Sequence, residues 1–179
     1  MRIFYPQTLP TDLAHSDLFF DTNTFIGAIS FPELFEDLIK QLKDNGCAYM
    51  TIPSVVFEFT RGTESIQDFN KRAEFITSLS SVYPIERYLG GVEDLTVVLQ
   101  KIQGHISYTD FLLIACLYKF PKSFLISANH KDCPLDILNR KFVITVDTDK
   151  DIKNYGIYQF SMDKFNKAAE SIFKGEFGK

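Results

Sequence analysis

The sequence predicts an α/β fold, a three-layer α/β/α sandwich around a mainly parallel sheet. Short runs of apolar and β-branched residues alternate, from end to end, with longer segments whose apolar residues recur at helical spacing. That alternation is the pattern of a parallel sheet covered by helices. The chain has 179 residues, 45% of them hydrophobic, which is enough for one substantial core. No Pro/Gly/Ser-rich linker, repeat or low-complexity tract divides it.

Leu18-Phe19-Phe20 is fully apolar and ends abruptly in Asp21-Thr22-Asn23, as a buried strand ends at its carboxyl edge. Pro32 opens an amphipathic helix to residue 44, with Leu34, Phe35, Leu38, Ile39 and Leu42 on one face, and Asn45-Gly46 stops it. A second strand over residues 47–52 leads through Pro53 into a helix carrying Glu58. A longer helix follows over residues 64–80, then a connector or short strand at 82–85 and a helix from Gly90 to Gln103. Ser107 is a good N-cap for the next helix, whose apolar run 111–118 predicts burial on nearly all sides. Residues 123–127 and 141–146 read as strands, and 160–173 as a C-terminal helix. Residues 2–16 carry no reliable local signal.

Composition narrows the function classes. No apolar run reaches the roughly 20 residues of a membrane span, and the N-terminus lacks a secretory signal pattern, so a soluble, cytoplasmic protein without a membrane partner is expected. Cys47, Cys116 and Cys133 are odd in number and form no CxxC unit, which argues against disulfides and structural zinc. A net charge of −4 lowers the expectation of strong non-specific nucleic-acid binding. It leaves open phosphodiester cleavage through metal ions held between carboxylates.

Four carboxylates carry the functional expectation. Asp21 follows the first strand and Asp132 lies in the loop after strand 123–127, at the edge where parallel α/β folds collect their ligands. Glu58 and Asp110 are read into the opening turns of helices, where amide dipoles tolerate negative charge. Four converging carboxylates would suit Mg2+ or Mn2+, hard cations that lower the pKa of bound water and stabilise charge on phosphate oxygens. Each acid also has a local reading: Asp21 as a strand end, Glu58 as a solvated helix residue, Asp110 in a reciprocal cap with Ser107, and Asp132 as a cap of the turn 135–138. Asn23 and Asn129 are the nearest candidates to assist the cofactor site. Tyr108, Arg61, Lys71, Arg72, His130 and Lys131 are candidates for a substrate rim, against burial or a solvated surface.

The segments Leu18-Phe19-Phe20-Asp21-Thr22-Asn23, Ile52-Pro53-Ser54-Val55-Val56-Phe57-Glu58, Tyr108-Thr109-Asp110 and Phe124-Leu125-Ile126-Ser127-Ala128-Asn129-His130-Lys131-Asp132 together resemble the PIN-domain family of nucleases. The resemblance covers residues 17–148. It implies a five-stranded sheet of order 3-2-1-4-5 and a shared acidic pocket of Asp21, Glu58, Asp110 and Asp132. It also implies a divalent-metal-dependent endoribonuclease with RNA as substrate, in a toxin–antitoxin or RNA-processing setting. The expected organisation is an N-terminal extension over 1–16, a PIN-like nuclease domain over 17–148, and a helical C-terminal extension over 149–179 packed on it. Antitoxin or processing partners and a homodimer accompany that reading. Two alternatives stand beside it. One is a noncatalytic PIN-like RNA-binding or scaffold protein. The other is a haloacid-dehalogenase-like phosphatase, against which Asn23 stands where a second Asp is usual.

Overall fold

The computed structural model describes residues 2–4, 11–147 and 151–177. Among these residues its centre is a seven-stranded mixed sheet in a three-layer α/β/α sandwich. The strands are β1 (Arg2–Phe4), β2 (Asp17–Phe20), β3 (Ala48–Thr51), β4 (Ser81–Val82), β5 (Ser123–Ser127), β6 (Leu138–Asp147) and β7 (Ile152–Phe160), in spatial order β1-β6-β7-β5-β2-β3-β4. The pairs β2–β3, β2–β5 and β3–β4 are parallel, whereas β5–β7, β6–β7 and β1–β6 are antiparallel. Five strands therefore share one direction, and β7 and β1 run against them.

Among the described residues seven helices flank the sheet: α1 (Thr22–Ser30), α2 (Pro32–Asp44), α3 (Pro53–Thr60), α4 (Ile66–Leu79), α5 (Glu93–Gln103), α6 (Tyr108–Lys119) and α7 (Met162–Phe177). Side chains alternate across a strand, and β7 shows which helices lie on each face. Tyr155 meets Phe35 of α2 edge-on, and Phe160, on the opposite face, meets Tyr118 of α6 and Phe165 of α7. All five residues of β5 are buried, as expected of a central strand covered on both sides.

The expected order 3-2-1-4-5 holds for its first four positions, β4-β3-β2-β5. The fifth position belongs to β7, which enters antiparallel and displaces the expected strand 141–146, here the core of β6, one place outward. Residues 152–160, assigned from sequence to a helical extension, are thus a sheet strand. Residues 2–4 join the sheet as its outer strand, beside β6. The helix α1 gives little sequence signal, because Thr22, Thr24 and Ile26 are β-branched and Gly27 is a poor helix former. Tertiary contacts hold it: Thr24 Oγ1 donates to the Ile126 carbonyl at 2.7 Å, and Phe25 is fully buried against Phe20 and Phe59. Among the described residues no helix is long and apolar enough to cross a membrane.

Candidate functional site

The carboxyl ends of β2 and β5 bring the sequence-singled acids to one edge of the sheet. Phe20 pairs with Ile126, which sets Asp21 level with Ser127, and the Asp21 amide donates to the Ile126 carbonyl at 3.2 Å. Asp21 occupies the N-cap position of α1 without using its side chain as a cap. Its Oδ2 instead accepts from Ser127 Oγ at 2.6 Å and from Asn23 Nδ2 at 3.4 Å. Asp21 is 4% exposed. Burial raises its pKa, opposed by the bonds from Ser127, Asn23 and the Thr22 backbone, and the charge of Glu58 adds to the rise.

Glu58 lies two residues before the end of α3, so the helix-dipole support expected from sequence does not apply to it. Both its oxygens are engaged: Thr22 Oγ1 donates to Oε2 at 2.8 Å and Thr109 Oγ1 to Oε1 at 2.5 Å. This carboxylate ties α3 to the starts of α1 and α6. Asp110 sits in the first turn of α6 and forms the reciprocal cap: its amide donates to Ser107 Oγ at 3.0 Å, and that hydroxyl donates to its Oδ2 at 2.5 Å. Asp132 ends a short 3-10 turn, His130–Asp132, where Asn129 Nδ2 donates to its Oδ2 and Gln103 Nε2 to its Oδ1 at 3.4 Å.

These acids act on one another. The pKa of Asp110 is raised to about 6, first by burial and then by the charges of Asp21, Asp132 and Glu58, against the Ser107 bond. The thiol of Cys133, buried beside them, is pushed up to about 12 by burial and by the charges of Asp21, Asp110 and Asp132. Among the described residues no lysine, arginine or histidine forms an ion pair with any of the four carboxylates. The edge therefore carries concentrated negative charge that the described residues do not neutralise.

The four-carboxylate metal centre expected from sequence is overturned. Among the described residues no group of three or more His, Cys, Asp or Glu side chains is arranged to hold a metal ion. The geometry supplies the reason. Each carboxylate is turned toward a neutral donor of its own neighbourhood: Asp21 to Ser127, Glu58 to two threonines, Asp110 to Ser107, Asp132 to Asn129. A divalent cation needs several oxygens directed at one point at about 2.0–2.6 Å. The Mg2+ or Mn2+ cofactor falls with the centre, and so do the metal-dependent endoribonuclease activity, RNA as its substrate and the antitoxin or processing partner and homodimer expected with it. Asn23 and Asn129 serve the carboxylates of Asp21 and Asp132 rather than a metal.

The remaining candidates divide. Tyr108 is 60% exposed, so it is not buried under the fold. Arg72 is committed to packing, with Nη1 donating to the Phe59 carbonyl at 2.7 Å and its guanidinium over the Phe59 ring. His130 Nδ1 lies 2.5 Å from the Tyr158 hydroxyl. Sequence reasoning missed Ser127, Thr109, Gln103 and Cys133. Ser127 was legible only through the strand register, and Thr109 through its place beside Asp110. Comparisons with protein-family models, curated proteins and solved structures found no match to this chain.

Proposed function

We propose that the chain is a PIN-like domain by fold, and that its acidic edge recognises cationic side chains of a protein partner. The kinship is supported by the parallel order β4-β3-β2-β5 and by Asp21 following β2, within the segments that carry the resemblance. The recognition reading rests on one observation: Asp110 is surrounded by the charges of Asp21, Asp132 and Glu58, with no ion pair to these acids among the described residues. An ammonium or guanidinium group suits such an edge. It hydrogen-bonds to lone pairs that the neutral donors leave free on these carboxylates, and it makes no demand for a closed coordination shell. Asp110 Oδ1 takes no side-chain hydrogen bond among the described residues and is the foremost acceptor. Phe57 and Tyr108, on the helices that carry Glu58 and Asp110, are 67% and 60% exposed and offer aromatic faces to a cation.

The test is fluorescence anisotropy with a labelled arginine-rich peptide and its glutamate counterpart. Binding of the basic peptide alone, weakened by added salt and about tenfold by D110N, is the expected result. Equal binding of both peptides, or a D110N protein that binds as wild type does, rejects the reading.

A further inference from the structure

A cleft of about 470 Å³ opens between α1, the segment after β5 and the start of β7. It falls within the roughly 300–1,000 Å³ typical of small-molecule sites. One group of its wall is free to meet a ligand. Tyr155 is 2% exposed and lines the cleft, yet its hydroxyl has no hydrogen-bond partner among the described residues. The oxygen is not among the buried polar atoms left without a partner, so it opens onto the cleft. The sequence accommodates this hydroxyl closely, because it lies over Gly27, where any Cβ would collide with it.

The other lining groups are partly committed, and what remains of each has a direction. Asn154 turns its side chain to the other face of β7, where its Oδ1 accepts from Thr145 Oγ1 at 2.8 Å. Lys153 is only partly exposed and has no ion pair among the described residues. Lys153 and Tyr155, alternate residues on one face of β7, therefore supply an ammonium and a phenol. On the opposite wall, Asn23 and Asn129 spend their NH2 groups on Asp21 and Asp132, which leaves both Oδ1 atoms as acceptors with anionic charge behind them. The cleft is thus polarised, donors and positive charge on the β7 side, acceptors and negative charge on the α1 side.

We infer that this cleft binds a small zwitterion of free amino-acid or dipeptide type, its carboxylate toward Lys153 and Tyr155 and its ammonium toward Asn23 and Asn129. A dianionic phosphate would face the charges of Asp21 and Asp132, and a simple cation would face Lys153; a ligand with both signs meets each wall favourably. The ligand carboxylate also gives the Tyr155 hydroxyl the acceptor it lacks. The inference stands on the β7 wall and is independent of partner recognition at Asp110.

Equilibrium dialysis of the full chain against a pool of free amino acids and mixed dipeptides, read by mass spectrometry, tests it. The control pools are N-acetylated dipeptides, C-amidated dipeptides and inorganic phosphate. Retention of one or more zwitterions at least about tenfold above their acetylated and amidated forms is expected, reduced about tenfold by Y155F and by K153M. Y155F removes an unpartnered hydroxyl and K153M a partly exposed charge, so thermal unfolding should show both variants folded. K153M should not weaken the arginine-peptide binding proposed above, which separates failure of one reading from failure of the other. Retention of no zwitterion, equal retention of a capped form or of phosphate, or full retention by folded Y155F and K153M overturns the inference.

Discussion

Ser127 Oγ donates to Asp21 Oδ2 across two adjacent parallel strands, at 2.6 Å and with both residues almost wholly buried. Burial raises the Asp21 pKa, and this bond is the foremost influence opposing the rise. In S127A the carboxylate keeps its burial and loses that donor. Removing a hydrogen bond to a buried charged group costs about 1.5–3 kcal/mol. S127A should therefore lose about 2 kcal/mol in urea unfolding near neutral pH, and NMR titration should show the Asp21 pKa still higher. Wild-type stability with an unchanged titration would mean that another donor holds Asp21.

Asp110 makes stability depend on pH in a stated direction. Its folded pKa of about 6 lies above the ordinary value of 3.8, so between these values the folded state binds more protons than the unfolded state. Stability then falls as pH rises from about 4 to about 6, and the whole penalty is present at pH 7. A rise of that size on a partly exposed group amounts to roughly 2 kcal/mol after solvent screening. D110N cannot ionise and can still pair with Ser107. Its Tm should match that of wild type at pH 4 and exceed it by several degrees at pH 7. A difference that is flat with pH, or of opposite sign, would contradict the crowding of charge around Asp110.

The elements legible in the sequence are those whose stability is written locally. The run Leu18-Phe19-Phe20 gives β2, the spacing of Phe35, Leu38 and Leu42 gives α2, and Ser107 caps α6 as its sequence predicts. β7 is different. Ile152–Phe160 mixes Lys153, Asn154 and Gln159 with aromatic residues and carries Gly156 at its centre, so neither strand alternation nor a continuous apolar run marks it. Pairing with β5 and β6 makes it a strand, and that information is non-local. The candidate site was legible in the same measure. The order of the acids foretells a shared edge, and their charges meet at Asp110. The directions of their oxygens depend on Ser127, Thr109 and Gln103, which come from other segments, and those directions remove the metal centre.

All three cysteines are buried and free, and the Cys133 thiol is held at about 12 by burial and nearby carboxylates. Alkylation proceeds through the thiolate. Native protein at pH 8 should therefore take up almost no iodoacetamide, while urea-unfolded protein takes it up at all three positions, as intact-mass analysis would show. Fast native labelling at Cys133 would place that thiol in solvent and break the account of the edge above it.

The contact between Gly27 and Tyr155 gives a test that separates packing from intrinsic helix preference. A Cβ at Gly27 would collide with the Tyr155 hydroxyl oxygen, and would stand 3.0 Å from its ring carbon and 3.1 Å from Phe35. Alanine in a helix interior is ordinarily about 1 kcal/mol better than glycine, so G27A would stabilise α1 if space allowed. Overpacking a tight core site costs about 1–3 kcal/mol, and here the displaced group is a buried side chain wedged against Phe35. G27A should thus be neutral to destabilising by about 2 kcal/mol in the wild-type background. Y155F removes the closest atom and leaves only the 3.0–3.1 Å contacts. In that background G27A should cost at least about 1 kcal/mol less, a coupling measurable by a double-mutant cycle in urea. Equal effects of G27A in both backgrounds would show that the Tyr155 hydroxyl does not lie over α1, and would remove the close approach on which the shape of the cleft depends.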